Sequence, residues 1–265
     1  MPESAESTSA SVLVGTAGWT LPADVQAAFP PEGTHLQRYA GRFPAVEINT
    51  TFYRPHRPST YARWMESVPA DFRFCVKVPK TITHEAKLRD ADDALATFLA
   101  EAGALGPKLA CLLVQLPPSL AFDRDVAERF FTALRSATPL TAVCEPRHPT
   151  WFTDKADALL EGFHVARVAA DPARVPAAGE PGGWRGLVYH RLHGSPKIYY
   201  SSYDDAYLDA LAARIRQDAD AGREVWCIFD NTASGAAARN ALDLHIRLDD
   251  ASNGSRTHLT ACRRR

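Results

Sequence analysis

Short apolar runs alternate with longer amphipathic stretches along nearly the whole chain. Eight of the runs are predicted to be β-strands, because most are almost continuously hydrophobic, as parallel strands covered on both faces are. They begin about every thirty residues, which is the length of a βα unit. The predicted strands span residues 11–16, 46–49, 72–78, 109–115, 141–145, 164–169, 187–193 and 225–231.

The stretches between these strands carry the periodicity of helices. The clearest lies at 90–104, where Leu95, Phe98, Leu99 and Ala102 form one apolar stripe. Further helices are predicted at 59–65, 125–136, 207–221 and 236–248, and residues 172–183, rich in Pro and Gly, are predicted to form a long loop. Gly222 follows the helix predicted at 207–221, at the position where glycine ends a helix.

Alternating βα units without a boundary fit either a closed barrel or a doubly wound open sheet. Eight units favour a single TIM-type (β/α)8 barrel of the α/β class. The segment GTAGW at 15–19 lacks the glycine spacing of a dinucleotide-binding loop. The predicted organisation is a disordered tail at 1–10, one barrel domain at 11–248 and a flexible C-terminal tail at 249–265.

Composition narrows the class of protein. The 265 residues are 46% hydrophobic and 23% charged, with a net charge of -1, which argues against a broad electrostatic surface for nucleic acid or anionic membrane. No apolar run approaches the ~20 residues that span a bilayer, and the first ten residues do not resemble a secretory signal. The sequence thus predicts no membrane contact, and nucleic acid is not the favoured partner.

The five cysteines indicate a reducing compartment. Cys75, Cys111, Cys144 and Cys227 each lie in an apolar strand, whereas Cys262 lies in the terminal segment. Since there is no CxxC pair and no even-spaced framework, buried reduced thiols are favoured over disulfides. We therefore expect a cytoplasmic protein.

Alternation along the strands predicts a polar pocket. In the strand at 72–78, Phe72, Phe74, Val76 and Val78 face the helices, which turns Lys77 into the barrel near the C-terminal end. The same alternation assigns to that end Glu47, Asn49, Gln115, Glu145, Arg191, His193 and Asn231. Active sites of such barrels lie at this end. The alternative is that Glu47 with Lys77, or Glu145 with Arg191, are structural ion pairs.

Two loop motifs add candidates. EINTTFY at 47–53 adds Tyr53, and EPRHPTW at 145–151 adds Arg147, whose fork suits a carboxylate or phosphate, and His148, which could transfer protons. The alternative for His148 is a loop histidine bonded to backbone. The predicted catalytic residues are Glu47, Lys77, Glu145 and His148; the other candidates are predicted to bind substrate.

An anion is the predicted ligand. Arg191 and His193 precede Gly194 at the end of the seventh strand. A turn that contains Ser234 and Gly235 opens the last helix, where backbone N–H groups are exposed at the positive end of the helix dipole. Barrels frequently bind phosphate with the loops after these last two strands. The alternative is an ordinary N-cap by Ser234 or Thr232.

No metal ligand is predicted, since HExxH and zinc-type Cys/His pairs are missing and Lys77 and Arg191 would repel a cation. There is also no GxSxG elbow. Neither a cofactor nor an oligomeric state is indicated.

Seven segments together resemble a known family. They are GTAGW at 15–19, VEINTTFYR at 46–54, FCVKVPKTITH at 74–84, LVQLPPS at 113–119, EPRHPTW at 145–151, RLHG at 191–194 and FDNTASGAAARNA at 229–241. The resemblance is to domain of unknown function 72, the YecE-like proteins, and covers residues 12–248. It implies a TIM barrel and no particular activity. This chain has Asp230 where that family usually has asparagine, and Thr20 where it often has tyrosine.

Three functions follow as hypotheses. The first is an enzyme, such as a hydrolase, acting on an anionic or phosphorylated small molecule in the barrel mouth. The others are a non-catalytic nucleic-acid or ligand binder and a metal-dependent phosphodiesterase or isomerase.

Overall fold

A computed structural model describes the backbone of residues 10–261 and the side chains of residues 10–249. Nearly all of the predicted N-terminal tail, and Cys262, lie outside the described residues. No helix within the described part of the chain is long and apolar enough to cross a membrane.

All eight predicted strands are present, and the sixth is divided in two by Val168. A further two-residue strand lies in the predicted long loop, which also contains a short 3-10 helix at Pro176–Gly179. The strands are β1 Val12–Thr16, β2 Ala45–Ile48, β3 Arg73–Lys77, β4 Leu109–Gln115, β5 Thr141–Glu145, β6 Val165–Arg167, β7 Ala169–Asp171, β8 Gly182–Gly183, β9 Leu187–Leu192 and β10 Glu224–Phe229.

The strands form two sheets of a mixed α/β fold. One has the order β1-β10-β9-β7 and is parallel throughout. The other has the order β2-β3-β4-β5-β6-β8, and only the β6–β8 pair is antiparallel. At one junction Ala17 pairs with Glu47 in a parallel bridge, and the Gly18 N–H donates to the Glu47 carbonyl at 2.8 Å. At the other, only Val168 separates β6 from β7, and its N–H donates to Cys144 of β5 at 2.9 Å.

The helices are α1 His35–Ala40, α2 Pro58–Glu66, α3 Asp92–Ala102, α4 Arg124–Ala137, α5 Asp154–Gly162, α6 Asp205–Asp220 and α7 Ala236–Ala261. Gly222 has φ +79 just beyond α6, as a C-terminal glycine should. α7 extends over residues 249–261, for which the sequence predicts a flexible tail, so that part of the chain is helical. Residues 236–248 of α7 were predicted to be helical, whereas the polar residues after Leu248 gave no helical signal.

The buried side chains form two clusters on opposite faces of the strands. The outer one packs strands against helices, and includes Phe74, Val76, Cys144 and Cys227. The inner one takes residues from strands of both sheets: Leu13, Ala45, Cys75, Cys111, Leu113, Val143, Ala166, Val168, Leu187, Tyr189, Trp226 and Ile228. The four strand cysteines are buried and unbridged, which confirms the prediction for them.

Gly15 allows β1 to approach β2 closely. A Cβ added there would lie 2.1 Å from the Ala45 carbonyl oxygen and 3.0 Å from the Tyr39 hydroxyl. We expect Gly15→Ala to lower the free energy of unfolding by about 1–3 kcal/mol, since the strands must move apart. Chemical denaturation measures this. Gly103→Ala is the control, because a Cβ there meets nothing within 4 Å; equal stability of the two variants would contradict the close approach.

Candidate functional site

A layer of charged side chains lies directly above the inner cluster, at the C-terminal ends of the strands. Cys75 and Tyr189 belong to the inner cluster, so Lys77 and Arg191, two residues further along β3 and β9, face the same interior. Glu47, Gln115 and Glu145 follow Ala45, Leu113 and Val143 in the same way. The alternation that predicted these five positions therefore describes the observed layer.

Arg191 is at the centre of this layer and is completely buried. Its Nη2 and Nε donate to the Glu47 carboxylate at 2.7 and 3.0 Å, and its Nη1 donates to Glu145 at 3.1 Å. Asp230 Oδ2 forms an ion pair with Nη2 at 3.1 Å. The Tyr189 hydroxyl donates a further hydrogen bond to the Glu47 carboxylate at 2.9 Å. The Glu145–Arg191 pair is the predicted ion pair, whereas the partner of Glu47 is Arg191 and not Lys77.

Glu145 accepts hydrogen bonds from four side chains. Besides Arg191 they are Gln115 at 3.0 Å, Arg147 at 2.8 and 3.1 Å, and His193 at 2.9 Å. Burial alone would raise the pKa of Glu145, but the positive charges of Arg147, His193 and Arg191 outweigh it and hold that pKa well below its ordinary value. Glu145 is consequently a weak base at neutral pH, which disfavours the proton-transfer role expected for it.

His193 links two carboxylates. Its Nδ1 lies 2.9 Å from Asp230 and its Nε2 2.9 Å from Glu145, while Arg147 Nη2 lies 3.0 Å from the same Nε2. The ring therefore bridges Glu145 and Asp230. The sequence predicted His193 but not Asp230.

Lys77 differs from its neighbours in the layer because its amine lies against an aromatic ring. Its Nζ lies 4.1 Å from the centre of the Phe52 ring and has no hydrogen bond or ion pair within the described residues. Burial, and then the positive charge of Arg191, lower the pKa of Lys77 to about 8, although Glu47, Asp230 and Glu145 act in the opposite direction.

The loop after β3 brings one further group that sequence reasoning missed. Residues Thr81–Glu85 form a π-helix, a rare conformation that is frequent at functional sites. It presents His84 edge-on to Phe52, at 4.8 Å between ring centres. Burial and the charges of Lys77 and Arg147 lower the pKa of His84, so its ring is neutral near pH 7 and can accept a proton. In the sequence, the only sign of this loop was the motif TITH, which belongs to one of the segments that resemble the family.

Asn231, Ser234 and Gly235 do not reach the charged layer. Trp226 and Ile228 of β10 face the interior, so Asp230 does too, and Asn231 instead donates to Ser201 and Asn240. Ser234 donates to the Tyr200 carbonyl and the Gly235 N–H to Thr232. The inward assignment of Asn231 was therefore wrong, and the donors expected for an anion here have protein partners.

His148 also lies outside the network. Its Nδ1 accepts from the Thr150 N–H at 3.3 Å and contacts the Thr150 hydroxyl at 2.9 Å. It caps the 3-10 helix Pro149–Trp151, as in the alternative interpretation of this histidine.

Two openings flank the layer. A cleft of about 440 Å³ beside the ends of β1 and β2 is lined by Asn49 and Tyr53 together with Trp19, His56 and Trp64. A separate small cavity of about 20 Å³ is lined by Glu145, Arg147 and His193. Among the described residues, no group of three or more His, Cys, Asp or Glu side chains could hold a metal ion.

Comparison with known proteins identifies the family. The model of the family described as "Protein of unknown function DUF72" matches residues 13–261. The chain belongs to the DUF72 family. Its Escherichia coli K12 relative, UPF0759 protein YecE, is 33% identical over 172 residues, which are 63% of this chain and 61% of that protein. The match thus spans less than two thirds of YecE.

Other DUF72 relatives align over most of their length. UPF0759 protein YunF of Bacillus subtilis strain 168 is 22% identical over 270 residues, 90% of this chain and 95% of YunF. Solved DUF72 structures from Enterococcus faecalis V583 and Thermotoga maritima MSB8 superpose with TM-scores of 0.77 and 0.74, at 21% and 24% identity. They cover 90% of this chain and 96% and 99% of their own. At this identity they establish the shared fold alone.

Proposed function

We propose that this DUF72 protein is an enzyme that binds a small anionic molecule, such as a phosphate or carboxylate, above the charged layer. Lys77 is the reactive group and Arg147 the principal anion contact. The observation that carries the proposal is the amine of Lys77, which has no hydrogen bond or ion pair among the described residues while every neighbouring carboxylate has one.

Arg147 is better suited to a ligand than Arg191. Its side chain is 15% exposed, whereas that of Arg191 is 0% exposed. Its Nε and Nη2 are held by Glu145, which leaves Nη1 free of any hydrogen bond within the described residues. A guanidinium fixed on one edge by a carboxylate presents its other edge to an anion.

The remaining charged residues support these two. Arg191, with Glu47, Glu145 and Asp230, fixes the floor of the site, and His193 holds Glu145 and Asp230 together. Proton transfer falls to Lys77, whose pKa is about 8, and to the neutral ring of His84, because the pKa of the buried Glu145 is held well below its ordinary value.

We also infer that the two sheets form one closed TIM-type barrel. Three features support this: the Ala17–Glu47 bridge, the single residue between β6 and β7, and an inner cluster drawn from strands of both sheets. The proposal includes a cytoplasmic location, where the four unbridged thiols stay reduced.

Inorganic phosphate is expected to raise the melting temperature of the wild type, because a ligand that binds the native state stabilises it by mass action. Arg147→Met should lose most of this rise, since removal of a charge-assisted hydrogen bond costs about 1.5–3 kcal/mol of binding. Differential scanning fluorimetry over a phosphate series measures both.

Arg89→Met is the matched control, because it removes the same charge from an exposed arginine paired with Asp123. It should respond to phosphate like the wild type. Equal rises in Arg147→Met and wild type, or no rise in either, would refute the anion site.

A further inference from the structure

We propose that Lys77 acts as a nucleophile and forms an imine with a carbonyl group of the substrate, so that the substrate class is an anionic aldehyde or ketone. This rests on the proposed function and specifies its chemistry. The Nζ lone pair attacks the carbonyl carbon and gives a carbinolamine. Loss of the carbonyl oxygen with the two amine protons as water then leaves the C=N bond, and no oxidant or co-reactant is needed.

A second buried lysine shows how unusual Lys77 is. Lys108 is 8% exposed and Lys77 5%, so the two are about equally buried. Lys108 Nζ donates to the carbonyls of Met65 and Val68, both at 2.6 Å. It thereby holds the end of α2 against the start of β4, which begins at the next residue. Lys77 Nζ has no such acceptor among the described residues and lies instead over the Phe52 ring, 4.1 Å from its centre.

The amine of Lys77 also reaches solvent. Within the described residues, the fully buried side-chain polar atoms that lack a hydrogen-bond partner belong to Asn49, Tyr61, His190, Asp218 and Asn231. Lys77 Nζ lacks a hydrogen-bond partner too and is not one of these atoms, so it keeps a small exposed area in an otherwise buried side chain.

Each carboxylate of the layer has an ion pair that does not involve Lys77. The three carboxylates of the layer are Glu47, Glu145 and Asp230, and Arg191 contacts all of them. Arg147 and His193 add further contacts to Glu145, and His193 to Asp230. The lysine is left over after these pairings are complete.

The surroundings favour the neutral amine that the attack requires. The charged and titratable groups facing Lys77 are Arg191 from β9, Glu47 from β2, Glu145 from β5, Asp230 after β10 and His84 from the π-helix. With a pKa of about 8 for Lys77, roughly one molecule in ten carries the neutral amine at pH 7, far more than for an exposed lysine.

Borohydride trapping tests the proposal. The full-length protein is incubated with pyruvate, with dihydroxyacetone phosphate or with neutral acetone, and the imine is reduced with sodium cyanoborohydride. We expect one stable adduct with the two anionic probes, assigned to Lys77 by fragment mass spectrometry and formed about tenfold or more faster than at any exposed lysine. Its rate should increase as the pH rises toward 8 and level off above it.

Lys80 provides the matched control, since it lies three residues away, is 44% exposed and pairs with Glu85. Lys77→Met should abolish the adduct and Lys80→Met should keep it. Adducts spread over surface lysines and unchanged in Lys77→Met would overturn the proposal, as would no adduct with either anionic probe. If phosphate still stabilises the protein through Arg147 in that case, the imine is refuted and the anion-binding enzyme is not.

Discussion

Replacing Arg191 by methionine is expected to lower the free energy of unfolding by about 3–5 kcal/mol at pH 7. The substitution leaves three buried carboxylates, Glu47, Glu145 and Asp230, without their shared cation. Methionine fills most of the volume, so that the loss reports the charge and not a cavity. Urea denaturation monitored by circular dichroism measures the difference.

The stability difference between wild type and Arg191→Met should become smaller at low pH. The folded-state pKa of Glu145 lies well below its ordinary value, so its stabilising effect is present above pH 4.5 and is lost as the pH falls further. The pKa of Asp230 is lowered as well: burial alone would raise it, but Arg191 and His193 outweigh that effect. The gap between wild type and Arg191→Met should therefore narrow below about pH 4.5.

A second substitution separates charge from packing. Adding Glu47→Gln to Arg191→Met should recover part of the lost stability, because one uncompensated carboxylate becomes neutral. Glu47→Gln alone should destabilise the protein. A loss of less than about 1 kcal/mol in Arg191→Met, or no recovery in the double variant, would show that the network does not stabilise the fold.

The strand positions of the site could be predicted because parallel strands carry a strict two-residue alternation. Phe72 and Phe74 fix the orientation of β3, so Lys77 was assigned to the interior from its neighbours alone. β10 gave no such contrast, since hydrophobic residues stand at every position from Val225 to Phe229. Its alternation was therefore placed one residue off, and Asn231 was chosen in place of Asp230.

The partners within the layer could not be predicted from the sequence. Glu47 pairs with Arg191 because a guanidinium can bind one carboxylate with two nitrogens and still reach a second and a third, which an ammonium cannot. His84 enters the site through a π-helix, which has no hydrophobic periodicity to reveal it. The hydrogen bonds that occupy Ser234 and Gly235 depend on Tyr200 and on the geometry of the turn.

Replacing Lys77 by methionine is expected to stabilise the protein while it removes the reactive amine. The folded-state pKa of Lys77 is about 8 against an ordinary value of 10.5, so below pH 8 the buried ammonium costs about 3 kcal/mol. This cost falls as the pH rises from about 8 to about 10.5, because the folded chain has then lost a proton that the unfolded chain still binds. The cost disappears once the unfolded chain loses that proton too. The advantage of Lys77→Met over wild type should accordingly shrink by about 2 kcal/mol between pH 7 and pH 10.

Lys80→Met distinguishes this effect from a general loss of positive charge, since Lys80 is an exposed lysine on the loop that follows β3. Its stability relative to wild type should change little over the same pH range, and the stabilities of all three proteins come from urea denaturation at each pH. A residue that an active site requires but that destabilises the fold is expected to behave in this way: its replacement raises stability and removes function. If Lys77→Met destabilises the protein at pH 7, or if its gap to wild type does not depend on pH, Lys77 is a structural residue and the site must use another group.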